Sequence, residues 1–229
     1  LGLALLALSA CASTLHKSDA KPAPQAFYTV TGEIALARGE PRVAALQYTA
    51  AAAAETDPKL LKRATEVTAQ TLQPSLTAAV AARWIHLDPK SLDAQRAAAR
   101  AALALYNIDE AAAHYRYVLM NSPQGRDAEF ADLEIDLGAD ENIFGARQVA
   151  DRLVVFFPTS PAALRIQGLT ALRADDPAAA VKSLQGVLAI GNADADEGAR
   201  QARRELAQTL ARARIMAGDV DEPLDLAQA

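Results

Sequence analysis

Apolar and polar positions along this chain repeat with a beat of 34 residues. Pro89 and Pro123 stand 34 apart, as do Thr77 and Ala111, Ala81 and Tyr115, and Trp84 and Val118. Ala146, Ala150, Leu153 and Pro158 fill the same four slots one unit later, after a single inserted residue. Ala180, Leu184, Val187 and Asn192 follow 34 residues further on. Between the breaks, apolar residues recur at helical rather than strand spacing. A beat of this length, with small and large apolar residues at fixed offsets, predicts a solenoid of helix–turn–helix units.

Local breakers divide the pattern into helix pairs. The first pair is predicted over 26–38 and 42–55, separated by Gly39-Glu40-Pro41, with the proline tolerated in a first helical turn. The second covers 58–72 and 75–87, broken by Gln73-Pro74. The third covers 92–105 and 109–121, with Asn107-Ile108-Asp109 at the turn. The fourth covers 127–138 and 142–156, broken at Gly138-Ala139-Asp140. The fifth covers 161–174 and 177–190, broken by Asp175-Asp176-Pro177. A polar loop from Gly191 to Gly198 precedes a sixth first helix over 199–217. Asp221-Glu222-Pro223 then opens a second helix that the sequence leaves incomplete. No stretch alternates with the period of a strand.

Residues 1–25 follow a different rule. Leu1 to Ala10 is apolar and uncharged, and at ten residues it is too short to span a bilayer as a helix. Leu8-Ser9-Ala10-Cys11 reads as a lipobox at the end of a partial signal peptide (1–10), with Cys11 as the lipidation site. There is no initiator Met and no basic segment, so the chain reads as starting inside that leader. A few acyl chains on Cys11 suffice for stable anchoring, and Ala12 rather than Asp after the cysteine points to the outer membrane. Residues 11–25 carry Ser13, His16, Lys17, Pro22 and Pro24 without an apolar period and read as a tether. The alternatives are an ordinary signal peptide, or an apolar first helix with a buried cysteine. Cys11 is the only cysteine, so no disulfide within the chain is possible.

Composition narrows the function classes. Of 229 residues 51% are hydrophobic but only 5% aromatic, and alanine, the residue that loses least on entering a helix, is abundant. The net charge of -5 argues against general nucleic-acid binding, which needs a basic excess to neutralise phosphates. Catalytic templates are missing. There is no phosphate-cradling glycine loop ending in Lys-Ser or Lys-Thr and no Gly-x-Ser-x-Gly elbow. His16, His86 and His114 lie far apart, without metal-ligand spacing. No enzyme activity, cofactor or metal is therefore expected. His86, at a helix end, suits the helix dipole, and Trp84 reads as core. Asp127, Glu129, Asp132, Glu134, Asp136, Asp140 and Glu141 form an acidic run whose members Asp132, Asp136 and Asp140 fall at i,i+4 steps. Calcium there would need a tight loop with backbone ligands, so a solvated acidic face is the preferred reading.

The repeat resembles the tetratricopeptide (TPR) family over residues 26–227. Tyr28, Gly32, Ala35, Gly39, Ala44, Tyr48 and Ala51 stand in its consensus slots in the first unit. Ala99, Ala102, Ala111, Tyr115, Val118 and Pro123 do so in the third, and Leu164, Gly168, Ala171, Ala180, Leu184 and Val187 in the fifth. Tyr106 stands where the family usually has glycine. The resemblance implies an all-α, right-handed superhelical solenoid of about five and a half repeats over 26–229, continuing beyond residue 229. Small residues would mark close helix crossings, and the concave surface would bind other proteins or peptides. It also implies that the second, fifth and ninth positions of each first helix face the groove, which places Lys59, Lys62, Arg96, Arg100, Arg165 and Arg212 on the inner wall and Arg173 near it. Such a wall would suit acidic side chains or a free carboxylate, unless these cations pair with Glu66, Asp93 and Glu205. Glu33 and Glu66 face inward by the same count.

Lipobox, tether and alanine-rich repeats together resemble Gram-negative TPR lipoproteins. The stretch Ala82-Arg83-Trp84-Ile85-His86-Leu87-Asp88-Pro89, with Leu92 to Ala99, resembles the lipoprotein adaptor of a periplasmic carboxyl-terminal processing protease. That resemblance implies a periplasmic adaptor, anchored in the outer membrane through Cys11, that delivers cell-wall hydrolases for degradation. Alternatives are an assembly factor for a pilus secretin or outer-membrane machinery, and a regulator of peptidoglycan synthesis.

Overall fold

A computed structural model describes residues 24–190 and 197–219. Eleven α-helices follow one another along them, with no strand among the described residues. They are α1 (Gln25–Ala37), α2 (Pro41–Ala53), α3 (Pro58–Gln70), α4 (Pro74–Leu87), α5 (Leu92–Ala104), α6 (Ile108–Asn121), α7 (Arg126–Ala139), α8 (Ile143–Phe156), α9 (Pro161–Arg173), α10 (Pro177–Ile190) and α11 (Glu197–Ala217). All but α7 pack mainly on their neighbours in sequence, and α7 packs most on α9. The result is an all-α solenoid of TPR helix pairs, and every boundary lies within two residues of the predicted one. The predicted leader, Cys11 and most of the tether lie outside the described residues.

The helices start and stop where local chemistry dictates. Prolines occupy the first turn of α2, α3, α4 and α9, where no backbone donor is needed. Asp57 caps α3 through the Lys59 amide, Ser91 caps α5 through Ala94, and Ser160 caps α9 through Ala163. The first helices of four pairs, and α11, end in one device. A residue with positive φ (Gly39, Leu72, Tyr106, Asp175 or Gly218) turns the chain. The next amide then reaches back five residues: Glu40 to the Ala35 carbonyl (2.9 Å), Gln73 to Thr68 (3.0 Å), Asn107 to Ala102 (2.8 Å), Asp176 to Ala171 (2.9 Å) and Asp219 to Arg214 (2.9 Å). Only α7 lacks it. Its C-cap, Asp140, is extended, and its N-cap, Gly125 at φ 90°, offers no side chain.

Small residues set the closest crossings. A Cβ on Gly32 would lie 2.8 Å from Tyr48 Cδ2, and one on Gly168 would lie 2.6 Å from Leu184 Cδ2. These are the slots in which the resemblance expects glycine beneath a large side chain. Trp84 is 4% exposed and sits in the first core cluster with Tyr48, Leu61, Val67 and Val80. A central cluster runs from Ala99 to Ile166, and a third joins α9, α10 and α11 around Leu184 and Leu210. The fourth pair departs from the rule, after the inserted residue. Helix α8 packs on α6 and barely touches α7, and Asn142 Nδ2 donates to the Leu103 carbonyl at 3.1 Å. Helix α7 is held instead by Phe130, Leu133 and Leu137 in the central cluster, with Phe130 edge-on to Phe157 at 5.6 Å between ring centres.

Candidate protein-interaction groove

Charged side chains on successive first helices meet across the repeats. Arg63 on α3 bonds Glu33 on α1 at 3.1 Å, and Lys62 on α3 bonds Asp93 on α5 at 2.9 Å. Arg96 on α5 reaches Glu129 on α7 at 2.5 Å, and Arg100 bonds both oxygens of Asp136 at 2.7–3.0 Å. Arg165 on α9 returns to Glu134 on α7 at 3.0 Å, and Arg173 donates to the Leu137 and Asp140 carbonyls at 2.7 and 2.9 Å. The partners stand 30–36 residues apart, one repeat each. The pairing leaves its mark on proton affinity. The Tyr48 hydroxyl, donating to Glu33, and the Arg63 guanidinium hold that carboxyl below its ordinary value, while Asp93 holds the Lys62 ammonium above its own. Exposed pairs of this kind stabilise by about 0–1 kcal/mol each. Glu129 is different. It is 3% exposed, also accepts from Ser122 Oγ at 2.7 Å, and depends on Arg96 for charge balance.

The structure thus places Lys62, Arg96, Arg100, Arg165 and Arg173 on one wall, but every one of them is engaged by a neighbouring repeat. Lys59 on α3 and Arg212 on α11 are exposed and form no ion pair among the described residues. Of the carboxylates expected as alternative partners, Asp93 takes Lys62 and Arg96. Glu66 takes none, and Glu205 accepts from Gln201 within its own helix at 2.9 Å. The acidic run is not simply a solvated face, because Glu129 is buried and Glu134 and Asp136 are ion-paired across the wall. The inserted residue, which falls between the start of α7 and the start of α8, obscures this in the 34-residue count. The signal that could have found it is the spacing itself, since cations on α5 and α9 stand about one repeat from carboxylates on α7.

The wall opens into a groove of about 640 Å³ between α3, the start of α4 and α5. Ala69, Ala97, Ala101 and Ala104 line it together with Trp84, and Lys62, Glu66, Asp93, Arg96, Arg100 and Glu141 supply its charges. Leu72 stands in the lining, 84% exposed and held at φ 54° by the turn after α3. A smaller recess of about 180 Å³ shares Arg96 and Arg100 and adds Asp132 and Ile135 of α7. Burial pushes the Tyr115 phenol beneath it upward, so that hydroxyl stays protonated.

The remaining polar candidates stay apart. His114 is half-buried, with Nδ1 2.6 Å from Gln95 Oε1, and burial lowers its pKa against the opposing pull of Glu110. His86 is exposed in the last turn of α4. Among the described residues no His, Cys, Asp or Glu cluster of three or more could hold a metal ion, Asp132, Asp136 and Asp140 included. Nor is any described helix long and apolar enough to cross a membrane. Cys11 and His16 lie outside the described residues.

No family model matches the chain, and no curated protein does. Among solved structures it is similar to a tetratricopeptide repeat protein from Parabacteroides merdae ATCC 43184, with 15% identity over 89% of this chain and 86% of that one and a TM-score of 0.42. It is also similar to MamA 41-end from Desulfovibrio magneticus RS-1, with 18% identity over 72% and 94% and a TM-score of 0.42. The P58(IPK) TPR domain gives 16% identity over 89% and 60% and a TM-score of 0.34. At these values the likeness carries no argument about partners, and the fold rests on the chain's own geometry.

Proposed function

We propose that this chain is a non-enzymatic protein-binding scaffold that presents the groove between α3 and α5 to a segment of a partner protein. The observation that carries the reading is the groove itself, an open recess with an alanine-rich lining and a charged rim on a wall built from successive first helices. Repeat arrays characteristically bind along such extended surfaces. The charged side chains here brace one repeat against the next and are not arranged as nucleophile and base. The finer reading is a periplasmic lipoprotein adaptor, anchored in the outer membrane through Cys11 and serving a carboxyl-terminal processing protease. It rests on the lipobox Leu8–Cys11 and on the resemblance around Trp84.

A photo-crosslinking residue in place of Ala97, inside the groove, tests the scaffold reading against one in place of Ala113, exposed on α6. A protein adduct at Ala97 and none at Ala113 is expected. Equal yields, or adducts only at Ala113, would remove the groove from the function. The anchor is tested separately, since Cys11→Ser should move the protein from the membrane to the soluble fraction, and continued membrane retention would refute lipidation.

A further inference from the structure

The groove offers its partner negative charge, although the sequence reading expects a cationic wall there. Lys62, Arg96 and Arg100 are its cations. Lys62 is held by Asp93, Arg96 by Asp93 and Glu129, and Arg100 by two hydrogen-bonding nitrogens on Asp136. Of these carboxylates only Asp93 lines the groove, while Glu129 and Asp136 lie in the adjoining recess. The groove adds Glu66 and Glu141, and neither forms a salt bridge or a side-chain hydrogen bond. The cation one turn from Glu66 is Lys62, whose hydrogen bond goes to Asp93. The three cations are thus each hydrogen-bonded to Asp93, Glu129 or Asp136, which leaves Glu66 and Glu141 in the groove lining without a hydrogen-bonded cation, Glu66 acting on Lys62 through space alone. An acidic ligand would have to break an existing pair and would meet Glu66 and Glu141, which no cation covers with a hydrogen bond. A basic ligand breaks nothing.

The apolar positions add a second requirement. Leu72, which lines the same groove as Glu66, presents nearly its whole side chain. The pattern recurs in the adjoining recess, where Asp132, exposed and without an ion-pair partner, lies one helical turn from Ile135, itself 70% exposed. A carboxylate without a salt bridge thus shares a recess with an exposed aliphatic side chain twice along one wall.

On the reading that this groove is the binding surface, we infer that its occupant is a basic segment of a partner protein, in which Lys or Arg side chains alternate with aliphatic ones. The cations settle on Glu66 and Glu141, and the aliphatic side chains cover Leu72. Charge complementarity of this sort sets specificity and association rate more than it adds raw affinity.

Fluorescence anisotropy with three labelled peptides of equal length (about twelve residues) tests this. One alternates Lys with Leu and Ser, one has Glu at the Lys positions, and one has Gln there. The Lys peptide should bind the described chain best and weaken as salt rises, because the rim charges are screened. Glu66→Gln with Glu141→Gln should weaken it by about five- to tenfold, the range for two exposed charge contacts, with helicity unchanged because both side chains are exposed and neither holds a hydrogen bond. Equal or tighter binding of the Glu peptide, or an unchanged affinity of the double variant, would overturn the inference. Adducts at Ala97 with an acidic partner segment would leave the scaffold reading standing and defeat only the charge assignment.

Discussion

Leu72 and Tyr106 end their helices in the left-handed region, at φ 54° and 62°, where a side chain collides with its own carbonyl at a cost of about 1–2 kcal/mol. Both are largely exposed, 84% and 69%, so packing returns little of that cost. In the first pair, Gly39 does the same work without strain. Leu72→Gly and Tyr106→Gly should each raise the free energy of unfolding, by about 0.5–1 kcal/mol after glycine's own entropy is subtracted. Urea titration reads it, and a loss of stability would mean that these side chains are held by contacts their exposure does not suggest. His114 makes the second residue-scale prediction. Burial lowers its pKa below the ordinary 6.5, so between the two values the unfolded chain binds more protons than the folded one. Its contribution is complete above pH 6.5 and is lost as pH falls through the folded value. Thermal midpoints measured from pH 7.5 down to 5 should decline, and His114→Gln should flatten that decline.

At the scale of the element, α7 differs from the other first helices. It has no side-chain N-cap, no back-bonded C-terminal turn and little contact with its own partner α8. Amide exchange in α7 should therefore outrun that in α5 and α9 by about tenfold or more, through local opening that leaves the rest folded. Equal protection would show that Phe130, Leu133 and Leu137 alone hold it. The same helix shows what the sequence could and could not reveal. Helix starts and stops were legible because Pro, Asp, Ser and Gly act on their own few residues, as at Pro58 after Asp57 or at Gly39. The turns after α3 and α5 were legible from Gln73-Pro74 and Asn107-Ile108-Asp109, but not that Leu72 and Tyr106 would take the left-handed conformation, since neither is a glycine. Glu129 was hidden in a run of acids that looks polar all round, and its burial depends on how α7 packs against α6 and α9. The repeat register expects cations on the inner wall, and of these Lys62, Arg96 and Arg100 line the groove, but their pairing depends on carboxylates about a repeat away.

For the molecule as a whole, stability is close to a sum of pair energies and neighbour interfaces, and three core clusters carry it from α1 to α11. The two long edges of the array are fastened differently. Five ion pairs and the Arg173 carbonyl contacts join the first helices to one another. On the second helices, two ion pairs reach across repeats among the described residues, Arg147–Asp176 and Arg152–Asp109, beside the Arg83 contact with the Glu55 carbonyl and Arg116 over the Phe156 ring. Salt weakens exposed charge contacts, whereas excluded salts strengthen apolar burial. The solenoid is in this respect a bimetallic strip. Its two edges respond to ionic strength with different expansion, so the solvent that bathes it also sets its bend.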